Sequence, residues 1–445
     1  MTQNAKSDKM EKIVSLSKRR GFIYQGSEIY GGLAGMWDYG PLGVRLKNNV
    51  KNIWWNMFVN SREDMYGLDA AILMNEKVWQ ASGHVDGFSD PLVECDKCKK
   101  RFRANHFDSD TCPDCKGGKL GKERQFNMMF ETKVGAMEGS GSTSYLRPET
   151  AQGIFVNFKN VIDSFHPKLP FGIGQIGKAF RNEITPRDFI FRTREFEQME
   201  VEYFINEKEW KKHFEAWQSL MWKYIEVIGL NKNHVHELEV PEEDRAHYSK
   251  RTIDFEYDFP FGRKELYGLA YRTDYDLKKH QEISKVKLEY LDAETNDKFI
   301  PHVIEPSLGV DRTVMALLCD AYREDTMGDE TRVFLKLNPN VAPVKVAVFP
   351  LKKNDKKLQK KAREVFDGIR REIPEVMYDD NANVGKRYRR QDEIGTPFCV
   401  TIDFETLEGK EGPKDTVTLR DRDTGEQKRV KIDSLLGTLQ DKLRA

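Results

Sequence analysis

The chain has 445 residues, with 72 Lys+Arg against 72 Asp+Glu, enough for two or three domains that each bury a core. Such a balance gives no global basic field of the kind that announces nucleic-acid binding, and no stretch approaches the apolar run needed to span a bilayer. The N-terminus lacks the continuous apolar core of a signal peptide, and four of the six cysteines fall in two pairs, a metal-binding pattern rather than a disulfide framework. A soluble, cytoplasmic protein is expected.

From Met10 to Arg20, Ile13 and Leu16 among basic residues predict a short amphipathic helix stopped by Gly21. The Gly-rich stretch 31–43 lacks the Lys-Ser/Thr ending of a phosphate loop and, with Trp37 and Tyr39, reads as a packed turn. Pro41 suits the first turn of a helix whose Leu42, Leu46, Val50 and Ile53 recur on one face. Its end, with Trp54, Trp55, Met57 and Phe58, is apolar enough for core or for a subunit interface.

Residues 90–145 read as an insertion carrying Cys95-x2-Cys98 and Cys112-x2-Cys115, thirteen residues apart. Four thiolates closing on one ion would satisfy tetrahedral zinc with no open position, hence a structural site. A Gly/Ser stretch, 135–144, leads into a predicted helix from Thr150 to Phe158. Glu149 stands at its start, placed either to complement the helix dipole or to meet a ligand.

The stretch 172–204, GIGQIGKAFRNEITPRDFIFRTREFEQMEVEYF, organises the rest. It reads as strand, loop, strand. Alternation puts Gly177, Ala179, Arg181 and Glu183 on one face of the first arm. In the second arm Met199, Val201, Tyr203 and Ile205 form an apolar face opposite Gln198, Glu200 and Glu202, and Glu197 falls on the apolar side. The small residues Gly177 and Ala179 are expected to leave room for a ligand. Arg187, Arg192 and Arg194 in the loop suit phosphate oxygens.

Beyond the hairpin, Glu209 to Ile228 is predicted as a core helix and 231–275 as strands ending in RTDYDL, whose Asp274 and Asp276 suit a turn or a metal. In 302–322, Val303 and Ile304 end a strand, Pro306 breaks it, and a helix begins near Gly309 with Arg312 in its first turn, off the buried stripe. A Pro-containing linker, 338–345, then precedes alternating strands and helices, the pattern of a compact α/β module. Residues 341–445 hold 23 Lys+Arg against 19 Asp+Glu, a net of +4. Lys386, Arg387, Arg389 and Arg390 could meet RNA phosphates or form a solvated face.

FRNE followed by FRTREFEQMEVEYF resembles the second signature motif of class II aminoacyl-tRNA synthetases. The words YGPLGVRLKNN (39–49), LDAAIL (68–73), VWQASGHVDGFSDP (78–91), LRPETAQGIFVNF (146–158) and EPSLGVDR (305–312) narrow the resemblance to the homodimeric glycyl enzymes. It implies an α+β fold: a class II antiparallel sheet flanked by helices over residues 1–340, with the 90–145 insertion zinc-ribbon-like. Residues 341–445 would be an anticodon-binding domain. It also implies tRNA(Gly), glycine and ATP with Mg2+ as partners, glycyl adenylate as intermediate, and a structural Zn2+ on Cys95, Cys98, Cys112 and Cys115. The helix after Pro41 would contribute to the dimer. Arg181, Glu183 and Arg312 would be catalytic. The ATP site would comprise Arg181, Asn182, Glu183, Phe191, Arg192, Thr193, Arg194, Glu195, Phe196, Glu265, Leu266, Gly309, Val310, Asp311 and Arg312. The glycine site would comprise Arg103, Glu149, Phe196, Glu197, Gln198, Met199, Glu200, Glu305, Pro306, Ser307, Leu308 and Gly309. A threonyl, prolyl or histidyl enzyme, or an RNA-binding paralogue without catalysis, is the competing reading.

Overall fold

Seven strands form the central sheet of the computed structural model, which describes residues 3–106, 109–135, 142–327, 330–409 and 413–444. In spatial order they are Val235–Glu239, Arg251–Phe259, Gly262–Thr273, His302–Gly309, Glu195–Ile205, Phe171–Phe180 and Met65–Gly67. Every neighbouring pair is antiparallel except the last. The Phe171–Phe180 and Glu195–Ile205 strands pair without a break from Phe171↔Phe204 to Phe180↔Glu195, the hairpin that alternation predicts.

The two faces of this sheet have different fates. Met199, Val201, Tyr203 and Ile205 are buried in one core with the helices Pro41–Trp55, Trp210–Val227 and Val310–Ala321. Pro41 opens its helix, where a missing N–H goes unnoticed, and a π-helical turn, Asn56–Asn60, follows. Trp54, Phe58 and Trp217 stack at 5.3 and 5.6 Å between ring centroids. Truncating one such ring costs about 3–5 kcal/mol, so Trp54 and Phe58 belong to the core. The opposite face is covered at one end by the helices Ala151–Phe165 and Tyr275–Ser284. Its remainder is the floor of a cavity.

One expectation fails here. Pro306 does not end its strand: His302–Gly309 runs through it. Pairing with the Glu195–Ile205 strand skips the Val201–Pro306 position between Glu200↔Ser307 and Tyr203↔Ile304, so no ladder bond is asked of the missing N–H. The 338–345 segment between the two modules is mostly packed rather than exposed. Val341, Ala342 and Val344 are fully buried in the main core, and the Asn49 amide donates to the carbonyls of Val341 and Ala342.

The C-terminal module is a five-stranded mixed sheet in the order Val376–Tyr378, Val346–Pro350, Phe398–Ile402, Thr416–Asp421, Gln427–Lys431. The helices Lys356–Glu372 and Ile432–Arg444 supply its core. Arg387, a candidate RNA contact, is fully buried and donates to the carbonyls of Pro350, Asp380, Asn381 and Ala382; it holds a loop. Arg390 is clamped on Asp379. The exposed Lys386 stays available to RNA. Among the described residues, no helix is long and apolar enough to cross a membrane.

Candidate active site

The site is built from one row of the central sheet. Gln175, Glu200, Ser307, Gly268 and Asp254 stand side by side on five adjacent strands. Because neighbours in register share a face, the sequence needed only the correct alternation in each strand to bring them together. Above this row lies a cavity of about 320 Å³. Gly268 has no side-chain atom nearer than 4.0 Å to where its Cβ would stand, which keeps the floor open.

One end of the cavity is cationic. Arg181 follows the Phe171–Phe180 strand, donates from Nε to the Pro148 carbonyl at 3.0 Å and lies 5.2 Å from the Phe196 ring centroid. Arg192 faces Glu183 at 3.7 Å. Arg312, in the first turn of its helix, pairs with Glu265 at 3.0 Å and lies 4.6 Å from the Phe191 ring centroid. The Arg312 charge outweighs burial and holds the Glu265 carboxyl below its ordinary value. Asp254, on the neighbouring strand, is pushed up to about 7 by burial and by the charges of Glu265 and Glu256.

The other end is anionic and buried. Glu200 accepts from Ser307 at 2.7 Å and from Thr150. Arg272, 1% exposed, donates to Glu305 at 2.6 Å and grips Asp276 at 2.8 and 2.9 Å. Gln152 joins Glu149 and Asp276, each at 3.0 Å, and accepts from His280 at 2.7 Å. Burial opposes ionisation of Glu149. The charges of His84, 3.4 Å away, and of Arg272 win, so the carboxyl stays well below the usual range. Glu200 is raised instead, by burial first and then by Glu149.

Of the residues singled out in the sequence, Glu149, Arg181, Glu183, Phe191, Arg192, Thr193, Phe196, Glu197, Gln198, Glu200, Glu265, Leu266, Glu305, Ser307, Gly309, Asp311 and Arg312 border the cavity. Others go elsewhere. Met199, Leu308 and Val310 are fully buried in the core, so only their backbones could serve a ligand. Pro306 and Asn182 lie outside the lining. Glu195 pairs with Lys178. Arg194 donates to the carbonyls of Glu183 and Ala34 and thereby ties two loops together. Arg103 sits in the insertion on Asp90 at 2.8 Å, and its positive charge is felt by Arg192.

Glu197 obeys alternation: its carboxylate is held by Lys47 at 2.9 Å and Lys51 at 3.0 Å, both on the Pro41–Trp55 helix. Asp311 accepts from the Glu197 backbone N–H at 2.7 Å and from Tyr39. Both are props for the strand and helix that carry Phe196 and Arg312. The room expected above Gly177 is already filled. A Cβ there would stand 2.2 Å from Nη2 of Arg147, whose guanidinium donates to the carbonyls of Lys178 and Ala70. Arg272, Gln152, His84 and Asp254 escaped the sequence reading. Asp254 alone had a signal, alternating with Ile253 and Phe255 in TIDFEYDF.

The four cysteines of the insertion converge. Cys95 and Cys115 sulfurs are 3.8 Å apart, Cys98 and Cys112 sulfurs 3.7 Å, and all four lie within 4.8 Å of one another. Sulfurs placed tetrahedrally about 2.3 Å from an ion stand about 3.8 Å apart, so this donor set fits zinc. The insertion is also tied to the segment that carries Arg181, since the Asn182 N–H donates to the Met128 carbonyl at 2.7 Å, and Phe88, just before the insertion, lies 5.4 Å from Arg181. Residues 136–141 of the Gly/Ser stretch lie outside the described residues.

The chain is similar in sequence to known proteins along nearly all its length. Residues 133–321 match the tRNA synthetase class II core domain (G, H, P, S and T), and residues 345–442 match the anticodon binding domain. A glycine--tRNA ligase of Clostridium acetobutylicum is 50% identical over 98% of this chain and 99% of its own length. One of Caldanaerobacter subterraneus subsp. tengcongensis is 50% identical over 98% of each chain. One of Bacillus anthracis is 48% identical over 98% of this chain and 99% of its own. With a class II core and an anticodon-binding domain in one chain, and half its residues identical over nearly its full length, the protein belongs to the glycine--tRNA ligase family of class II aminoacyl-tRNA synthetases.

Proposed function

We propose that the cavity joins glycine to ATP, giving glycyl adenylate and pyrophosphate, and that the glycyl group then passes to the 3′ end of tRNA(Gly). What carries this reading is the polarity of a single cavity, with arginines at one end and buried carboxylates at the other. Attack of the glycine carboxylate on the α-phosphorus builds negative charge, so the step asks for positioning and charge stabilisation rather than a nucleophile–base pair. Arg181, at the junction of the two ends, meets the α-phosphate and the glycine carboxylate. Phe196 and Arg312 take the two faces of adenine, a cation–π arrangement, and Glu183 reads its amino group. Arg192 reaches the terminal phosphates.

Glu265 and Asp254 offer hard oxygen donors beside these phosphates, the donor type Mg2+ takes. When bound, the ion would neutralise phosphate charge. At the anionic end, Glu149, Glu200 and Glu305 receive the ammonium, with Ser307 and Thr150 fixing the Glu200 carboxylate. Glycine is the smallest amino acid, so a close-fitting wall excludes every other one sterically, without an editing site. The four-cysteine cluster would hold structural Zn2+ through four thiolates, and a cytoplasmic location fits a tRNA ligase. The likeness to homodimeric glycyl enzymes supports a homodimer, to be read by sedimentation.

ATP–pyrophosphate exchange dependent on an added amino acid tests the whole reading. Glycine alone should support it. Exchange with threonine, proline or histidine would overturn the specificity, and none with any amino acid would leave an RNA-binding paralogue.

A further inference from the structure

Glu202 is the carboxylate at the anionic end that the hydrogen-bond network leaves out. It is 0% exposed, and among the described residues neither of its oxygens has a hydrogen-bond partner. A ligand oxygen of Glu202 lies within 4.8 Å of those of Glu200, on the same strand, and Glu305, on the next. The nearby cation, Arg272 on the Gly262–Thr273 strand, is already committed to Asp276 and Glu305. The helix Tyr275–Ser284 adds Asp276 and His280, the imidazole donating to Gln152 of the helix Ala151–Phe165. Glu149, just before that helix, brings further negative charge, which His84 offsets. The first hairpin strand places uncharged Ile173 opposite Glu202.

Three carboxylates so close and so buried do not all ionise against one committed guanidinium. We propose that the free enzyme holds a proton within the Glu200–Glu202–Glu305 set and that the ammonium of glycine displaces it to solvent on binding. This rests on the reading that the anionic end receives the amino group. The entering ammonium supplies the positive charge the proton had supplied, so the Glu200–Glu202–Glu305 set becomes fully ionised only when glycine arrives, while Glu149 is ionised throughout. Burial, then the Glu305 charge, raises Glu202 well above the carboxylate range. Glu305 is pushed up to about 8 by burial, which Arg272 only partly offsets. The proton therefore belongs to the set and not to one residue. Glu202 acts as a positioning residue that sets the charge of its neighbours.

Displacing one proton makes glycine binding tighten as pH rises, by up to about tenfold per unit. The wild-type enzyme, titrated with glycine in phosphate and in Tris, should show binding heats that differ with the buffer's ionisation enthalpy, in the sense of proton release. KM for glycine should fall severalfold between about pH 6.5 and about pH 8 while kcat stays nearly flat. Glu202→Gln should diminish the release and flatten the KM profile. Buffer-independent heats with a flat wild-type KM profile would overturn the proposal. Glu305→Gln with an unchanged glycine KM would instead overturn the placement of the ammonium, so the two failures are distinct.

Discussion

The two ends of the cavity are held by different physics. At the cationic end the guanidinium groups of Arg181, Arg192 and Arg312 each bond to a single residue and lie beside open space. At the anionic end Glu200 is engaged through both oxygens, and Arg272 is bonded through three nitrogens. A large, flexible, polyanionic substrate can be gathered by cations that adjust. A two-carbon substrate offers one ammonium and one carboxylate, so its site must be set before it arrives, because immobilising groups afterwards would consume its small binding energy.

This contrast predicts where a mutation bites. Arg181 serves both ends, so Arg181→Ala should lower glycine-dependent exchange by about 10²–10³-fold or more while circular dichroism and the unfolding midpoint stay close to wild type. Near-normal exchange would remove Arg181 from the chemistry. A narrower effect is expected from Ser307→Ala. It takes one donor from a buried carboxylate, a loss of about 1.5–3 kcal/mol, and should raise KM for glycine about 10- to 100-fold with KM for ATP almost unchanged. Equal changes in both constants would show that the ends are not separate.

Much of this division is legible in the sequence, for one reason: strands report their faces by a period of two. Glu200 and Ser307 share a face because alternation in each strand puts them there, and pairing in register then makes them neighbours. Glu197 shows the strength of the rule. Alternation assigns it to the apolar side, the family resemblance assigns it to glycine, and its carboxylate sits on Lys47 and Lys51. What sequence cannot report is which partner fills a space. Gly177 signals a close approach, but only the fold shows that the guest is Arg147. The dependence of Asp276 on Arg272, four residues earlier, was likewise hidden, because a turn aspartate and a buried clamp have the same local pattern. Pro306 misled by a general rule whose exception is set by a neighbouring strand.

The insertion gives a third, smaller test. Its cysteine cluster does not border the cavity, yet the same insertion carries Arg103 and the Met128 carbonyl that holds Asn182, and it follows directly on Phe88, which lies against Arg181. Removing zinc with a chelator should lower the unfolding midpoint, raise KM for ATP a few-fold and leave KM for glycine nearly alone. Metal analysis should find about one zinc per chain. A preparation without zinc that is equally stable would end the structural-metal reading.

The smallest effects should come from behind the sheet, where two lysines share Glu197 but do not share its consequences. Lys47 bridges Glu197 at 2.9 Å and Asp311 at 3.6 Å, with only 13% of its side chain exposed. Lys51 reaches Glu197 alone and is 23% exposed. Asp311 precedes Arg312, and its carboxylate accepts the Glu197 N–H beside Phe196. Lys47 therefore braces both groups assigned to the faces of adenine, and removing it leaves the buried Asp311 without its cation and the half-buried Glu197 with Lys51 alone. Lys47→Met should raise KM for ATP about 5- to 10-fold, the scale of a partly buried charge pair lost at one partner. Lys51→Met should shift it less than about twofold, as an outer pair with a surviving inner partner does. If Lys51→Met proves the more damaging, the bracing of the adenine site runs through Glu197 alone and not through Asp311.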